Sequence, residues 1–209
     1  NYYVTTLHAP TPNNLKNALT YSDNVYFARS ALNIGKDNLF KYYKKLNIGS
    51  KIPFELSLNR SQYINKNQKV NDQLIADSGY GQGQILMNPL QLASIYSSFI
   101  NNGSIYRPHI VKKGEQMWIQ RVFSDQTVKT IKEDLINVIA DENGTGHSIY
   151  HENIQLAGKT GTAEIKQSQS DTTGSELGWF TVMTTDPKRP ILMTTVVEDV
   201  KDRGGSGYV

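Results

Sequence analysis

Apolar positions near the start of the chain follow helical spacing in two runs. Leu15, Ala18 and Leu19 make one face, Val25, Phe27, Ala28, Ala31 and Leu32 make another, and Gly35 stops the second run as a C-terminal cap does. Between the runs stand Ser22, Asp23 and Asn24, all residue types that cap helix N-termini. A further helix is predicted over 37–47, a polar irregular loop over 49–70, a short helix ending at a glycine loop over 79–83, and a helix over 88–101. "SIYRPHIVKK", residues 104–113, reads as a short strand, and residues 124–141 as a helix capped by Ser124. The tail reads as three strands, 154–166, 176–185 and 190–198, the last two joined by the hairpin signal "DPKRP". Helices followed by an antiparallel sheet, with no repeat and no linker, predict one mixed domain.

Composition narrows the classes. The net charge of +3 comes from dispersed Lys and Arg rather than a basic run, which argues against nucleic-acid binding. No apolar run approaches the ~18 residues of a membrane helix, and none reads as a signal peptide. Zero cysteines excludes disulfides, thiolate metal sites and a cysteine nucleophile, and suits an exported protein. The chain opens without methionine and stops in the glycine-rich "KDRGGSGYV", so it is expected to be a fragment.

The chemistry concentrates in "LAGKTGTAEI", residues 156–165. Gly161 stands between Thr160 and Thr162 on a predicted strand, and Lys159 adds a fixed positive charge. Glycine inside a strand marks a place where a ligand or another backbone comes close, and these neighbours suit an anionic, extended ligand laid along a strand edge. A hairpin or strand end with ordinary turn chemistry accounts for the segment equally. The pairing with "SDN" at 22–24 changes the weight, because S-D-N and K-T-G join an S-x-x-K in penicillin-binding proteins and class A β-lactamases. No serine here has a lysine three residues on, so the nucleophile is expected upstream.

"SDNVYFARSALNIG", "ADSGYGQGQILMNPLQLASIYSSFINNGSIYRPHIV", "GKTGTAEI" and "GWFTVMTTDP" resemble successive segments of a class B penicillin-binding protein transpeptidase domain. They are most similar to the low-affinity group of Gram-positive bacteria that includes the methicillin-resistance protein. The resemblance covers essentially the whole chain. It implies an α+β fold, penicillin-binding protein/serine β-lactamase-like, with a five-stranded antiparallel sheet flanked by helices and a mostly helical lobe. Residues 1–209 would be the C-terminal part of a single such domain, lacking its first strands and its nucleophile helix.

The implied activity is a peptidoglycan D,D-transpeptidase that cross-links stem peptides through an acyl-serine and is acylated by β-lactams. It would need no metal or cofactor. It would act on the extracytoplasmic face of a membrane, anchored by an absent N-terminal segment, beside other cell-wall synthesis proteins and in a context of cell shape and antibiotic resistance. The upstream part of the domain would be required for activity.

Roles follow by the same resemblance. Ser22 relays a proton toward the leaving nitrogen, Asn24 holds the peptide backbone, and Lys159 polarises Ser22 and draws in the substrate carboxylate. Thr162 binds that carboxylate and supplies half of the oxyanion hole, Thr160 flanks it, and Gly161 lacks a side chain because helix and substrate crowd it. Asp23 stabilises the turn. As helix caps alone, Ser22 and Asn24 would need no catalytic part.

Other features point elsewhere. "ELSLN", Glu55 to Asn59, fits the E-x-x-L-N of class A β-lactamases, whose glutamate deacylates the enzyme, so a serine β-lactamase using Glu55 is an alternative. A non-catalytic β-lactam-sensing receptor domain is another. The glycines at 79, 81 and 83 lack the strand before and the Lys-Ser/Thr after that a phosphate loop needs. Tyr80 and Gln82 are read as cleft-lining, or as part of that turn. His147 and His151 have the i, i+4 spacing of a metal pair without the acidic residue of H-E-x-x-H, and read as surface histidines.

Overall fold

The computed structural model describes residues 3–6, 11–111, 114–165, 174–201 and 203. Its elements are α1 (Leu15–Thr20), α2 (Asn24–Ile34), α3 (Lys36–Lys45), α4 (Asp72–Gly79), α5 (Pro89–Ser97), β1 (Ile105–Tyr106), β2 (Met117–Ile119), α6 (Asp125–Ala140), a 3-10 turn at His147–Ile149, then β3 (Leu156–Ile165), β4 (Ser175–Thr184) and β5 (Leu192–Glu198). The class is α+β. Helix starts are set by short polar side chains: Asn14 accepts from Asn17 N–H, Asn71 from Leu74 N–H, Asn88 from Leu90 N–H, and Ser124 Oγ from Thr127 N–H at 3.1 Å.

The strand expected over 104–113 pairs for two residues only, against β2, which the sequence reading did not anticipate. Pro108 has no N–H to continue a ladder. Lys112 and Lys113 lie outside the described residues, as do the end of the strand expected to reach 166 and the glycine-rich residues 204–209.

The chain divides into two compact units. One is built chiefly from Asn24–Ile131. There α4 lies against α2 so closely that a Cβ on Gly79 would fall 2.4 Å from the Phe27 carbonyl oxygen. Gly81 and Gly83 follow at φ +83 and +74, conformations that suit glycine, and Tyr80 Oη donates to Asp77 Oδ1 at 2.7 Å. Packing and turn geometry thus account for all three glycines. Tyr43 and Tyr96 are half-buried in this unit, and desolvation pushes both phenols up to about 12.

The other unit joins Thr6–Asp23 to the chain from Lys132 onward. Its sheet is antiparallel in the order β3-β4-β5, with Lys159 opposite Thr181 and Gly161 opposite Trp179. Among the described residues β3 is an edge strand. Leu135, Val138 and Ile139 of α6, with Ala18, Ala157, Met183 and Val200, form the buried core.

The crowded glycine on β3 is Gly158. A Cβ there would lie 2.7 Å from Thr181 O and 3.2 Å from Ile139 Cδ1, so α6 is seated on bare backbone. At Gly161, where crowding by a helix was expected, a Cβ would meet only Trp179 Cβ at 3.7 Å, an ordinary contact. No helix of the described residues meets a Cβ at Gly161; the glycine of β3 that α6 crowds sits three residues earlier.

Gly158→Ala should lower stability in the intact protein by about 1–3 kcal/mol, because the sheet or α6 must shift to admit a methyl against a carbonyl. Gly161→Ala should stay within about 0.5 kcal/mol of wild type. Urea denaturation of the two variants checks this, and equal losses would contradict it.

Candidate active site

Ser22 stands at φ +56, in the left-handed region. The cause is the way α1 ends. Asp23 N–H reaches back to the Ala18 carbonyl at 2.9 Å and Ser22 N–H to the Leu19 carbonyl at 3.3 Å, which is the paired closure of a Schellman motif. Glycine is usual at the left-handed position of that motif; a side chain there costs about 1–2 kcal/mol. Asp23 is 2% exposed, so the turn is held from beneath by a buried residue. The half-buried Ser22 hydroxyl is thus presented from a strained backbone position that local closure maintains.

Lys159 belongs to the same unit. Its Nζ donates to Ser22 Oγ at 2.9 Å and to the Thr160 carbonyl at 2.9 Å. Burial pushes the ammonium from its ordinary 10.5 down to about 8, so it is still mostly charged at neutral pH. A desolvated ammonium acts more strongly on nearby groups than a solvated one, because little water competes for its field. Thr160 is buried at 7% exposure and its Oγ1 donates to Thr145 Oγ1 at 2.7 Å. Gly161 is half-buried and Thr162 exposed on the same edge strand.

Ser22, Lys159, Thr160, Gly161 and Thr162 therefore share one unit, and Ser22 and Lys159 are joined directly. Asn24 is the first residue of α2 and belongs to the other unit, half-buried. Glu55 is also in that unit, exposed, with Oε2 accepting from Ile110 N–H at 3.2 Å. His147 Nδ1 pairs with the Ile139 carbonyl at 2.9 Å while its ring stacks on Tyr150, and His151 Nδ1 accepts from Asn153 N–H. His147 is thus half-buried in packing rather than fully at the surface. Thr145 was missed by the sequence reading; its one signal is a threonine set between Gly144 and Gly146, a turn pattern without chemistry of its own.

A family model described as the penicillin binding protein transpeptidase domain matches residues 1–209. Penicillin-binding protein 3 of Bacillus subtilis is 39% identical over 198 residues, covering 93% of this chain and 29% of that protein. Stage V sporulation protein D of the same organism is 30% identical over 155 residues, covering 68% of this chain and 24% of that protein. The chain thus spans under a third of either relative's length. Among solved structures, the TP domain of Burkholderia pseudomallei penicillin-binding protein 3 matches 92% of this chain and 59% of its own at TM-score 0.79 and 18% identity. PBPA from Mycobacterium tuberculosis matches 95% and 47% at TM-score 0.76 and 21% identity. At such identities the likeness is one of fold.

The backbone at Ser22 gives a test that separates strain from chemistry. Ser22→Ala and Ser22→Gly both delete the hydroxyl, but only glycine relieves the left-handed strain. The glycine variant should be more stable than the alanine variant by about 1 kcal/mol. Paired thermal or urea melts measure the difference, and an alanine variant at least as stable would show that the turn is not strained.

Proposed function

Because the chain belongs to the penicillin-binding protein transpeptidase domain family, we propose that residues 1–209 form the C-terminal part of a single transpeptidase domain that cross-links peptidoglycan stem peptides. The observation that carries this reading is the 2.9 Å hydrogen bond from the desolvated Lys159 ammonium to Ser22 Oγ. It supports a site in which a hydroxyl is polarised beside a fixed charge at the edge of a strand.

In this reading a serine outside these residues, from an S-x-x-K helix, attacks the carbonyl carbon of a terminal D-Ala-D-Ala bond. A C–O bond forms and the C–N bond breaks. The proton taken from the attacking hydroxyl ends on the departing amine, handed over through Ser22. Lys159 holds Ser22 in line and attracts the terminal carboxylate, with Thr162 Oγ1 as a second partner for that carboxylate. The Thr162 N–H provides half of the oxyanion hole. An extended peptide lies along β3 past Thr160 and Gly161, and Asn24 holds its backbone. An acceptor amine then attacks the ester carbonyl: the new C–N bond forms, the C–O bond to the serine breaks, and a proton from the amine passes to the serine oxygen.

A β-lactam enters the same first step, but its leaving nitrogen stays tethered and the acyl-enzyme persists. The 209 residues alone, having no S-x-x-K, are inert in this reading.

"SDNVYFARSALNIG" and "GKTGTAEI" are the segments that favour a place in the low-affinity, methicillin-resistance type group. The protein acts on the extracytoplasmic face of the membrane through an anchor outside these residues, in company with other cell-wall synthesis proteins. Among the described residues no helix is long and apolar enough to cross a membrane. Glu55, the residue the β-lactamase alternative depends on, is exposed, and its carboxylate accepts the Ile110 main-chain N–H.

If the charged form of Lys159 is the working one, acylation of the intact protein by a fluorescent penicillin should fall as pH rises through about 8, where Lys159 loses its proton. An ordinary lysine would give no fall until above pH ~10. Lys159→Ala should slow acylation on the order of a hundredfold. Lys159→Arg, which stays charged, should remove the alkaline fall while remaining slow through altered geometry. A pH profile flat from 7 to 9.5, or an alanine variant reacting at the wild-type rate, would contradict the role.

A further inference from the structure

We propose that Thr145 is a positioning residue for this site: it fixes β3 against the turn that carries Ser22, and so sets the Lys159–Ser22 geometry. The proposal rests on the acyl-transfer reading above. The two groups come from separate pieces of chain, the turn after α1 and the edge strand β3. Thr145 touches the immediate neighbours of both. Its backbone N–H donates to the carbonyl of Thr20, the last residue of α1, at 3.1 Å, and its Oγ1 accepts from Thr160 Oγ1, next to Lys159, at 2.7 Å. Thr20 is 1% exposed and its own Oγ1 is committed to the Lys16 carbonyl at 2.9 Å, so the α1 end of this link is rigid.

Thr145 is itself held in place by the turn after α6. Gly146 N–H returns to the Val138 carbonyl at 3.0 Å and Gly144 N–H to the Asp141 carbonyl at 2.8 Å. A Cβ on Gly144 would lie 2.3 Å from Val138 O, and one on Gly146 would lie 3.2 Å from Ile139 Cγ1 and 3.4 Å from Phe180 Cζ. The turn is therefore pressed onto α6 and the sheet, with Thr145 the single side chain between two bare positions. Deleting its hydroxyl leaves the buried Thr160 hydroxyl without this acceptor. The penalty for an unpaired buried hydroxyl is relieved only by turning Thr160 or shifting β3, and either changes where Lys159 places its ammonium.

The test uses the intact protein and three variants. Thr145→Val keeps shape and backbone N–H and removes the hydroxyl; Thr145→Ala removes it without a branched side chain; Thr145→Ser keeps it. Penicillin acylation is resolved into non-covalent affinity and the acylation step, across pH 6.5–9.5, with the melting temperature followed in parallel. The valine and alanine variants should slow the acylation step about tenfold, change affinity less than about twofold, and move the alkaline fall away from its wild-type position. The serine variant should recover both rate and pH profile. A valine or alanine variant that folds and reacts like wild type overturns the proposal, as does a lowered melting temperature with rate and pH profile unmoved. An inert wild type defeats the transpeptidase reading and this inference with it; a reactive wild type beside equally reactive variants defeats this inference alone.

Discussion

A lysine ammonium that has lost much of its water must be given something polar to hold, and here that group is the hydroxyl of Ser22. Desolvation lowers the Lys159 pKa to about 8, and the two hydrogen bonds from Nζ, to Ser22 Oγ and to the Thr160 carbonyl, keep the charge tolerable. Breaking that pairing would leave a poorly solvated charge with one acceptor fewer, a costlier change than losing a surface bond. The unit is arranged around that pair. The left-handed Ser22 and the Schellman closure of α1 bring the hydroxyl forward, and the edge position of β3 keeps Thr162 exposed beside it.

Bare backbone does much of the positioning. Gly158 lets α6 sit on β3 one residue before Lys159, and Gly144 and Gly146 let the next turn fold back onto the same helix. Because these contacts are made by main chain, they have little freedom to relax, and a strand held this way cannot slide without losing them. Strain at Ser22 and tight packing beneath Lys159 are thus two sides of one arrangement: the site's polar groups are held by elements that would be more comfortable elsewhere.

Much of this was legible in the sequence because it was written in local signals. Helical spacing, the Ser124 cap and the DPKRP turn give α1 to α6 and the β4–β5 hairpin to within a few residues, and "SDN" with "KTGT" holds the two side chains that meet, Ser22 and Lys159. What was not legible depends on long-range contact. β2 is three residues long and has no pattern of its own. That α6 covers Gly158 was not read from the sequence, since it depends on the register against Thr181 and the approach of Ile139. Thr145 carries no chemical motif, and its importance appears only when its partners, Thr20 and Thr160, lie on either side of it. Glu55 pairs with a main-chain N–H fifty-five residues away, which no charge pattern announces.

The claim that Ser22 and Lys159 act as one unit is tested most directly by a double-mutant cycle on the rate of penicillin acylation in the intact protein, with Ser22→Ala, Lys159→Met and the two combined. If the pair works through its hydrogen bond, the double variant should be scarcely slower than the worse single variant, because either change alone already disables the shared function. Losses that multiply, as they do for independent sites, would mean that the 2.9 Å contact is only a neighbourly one.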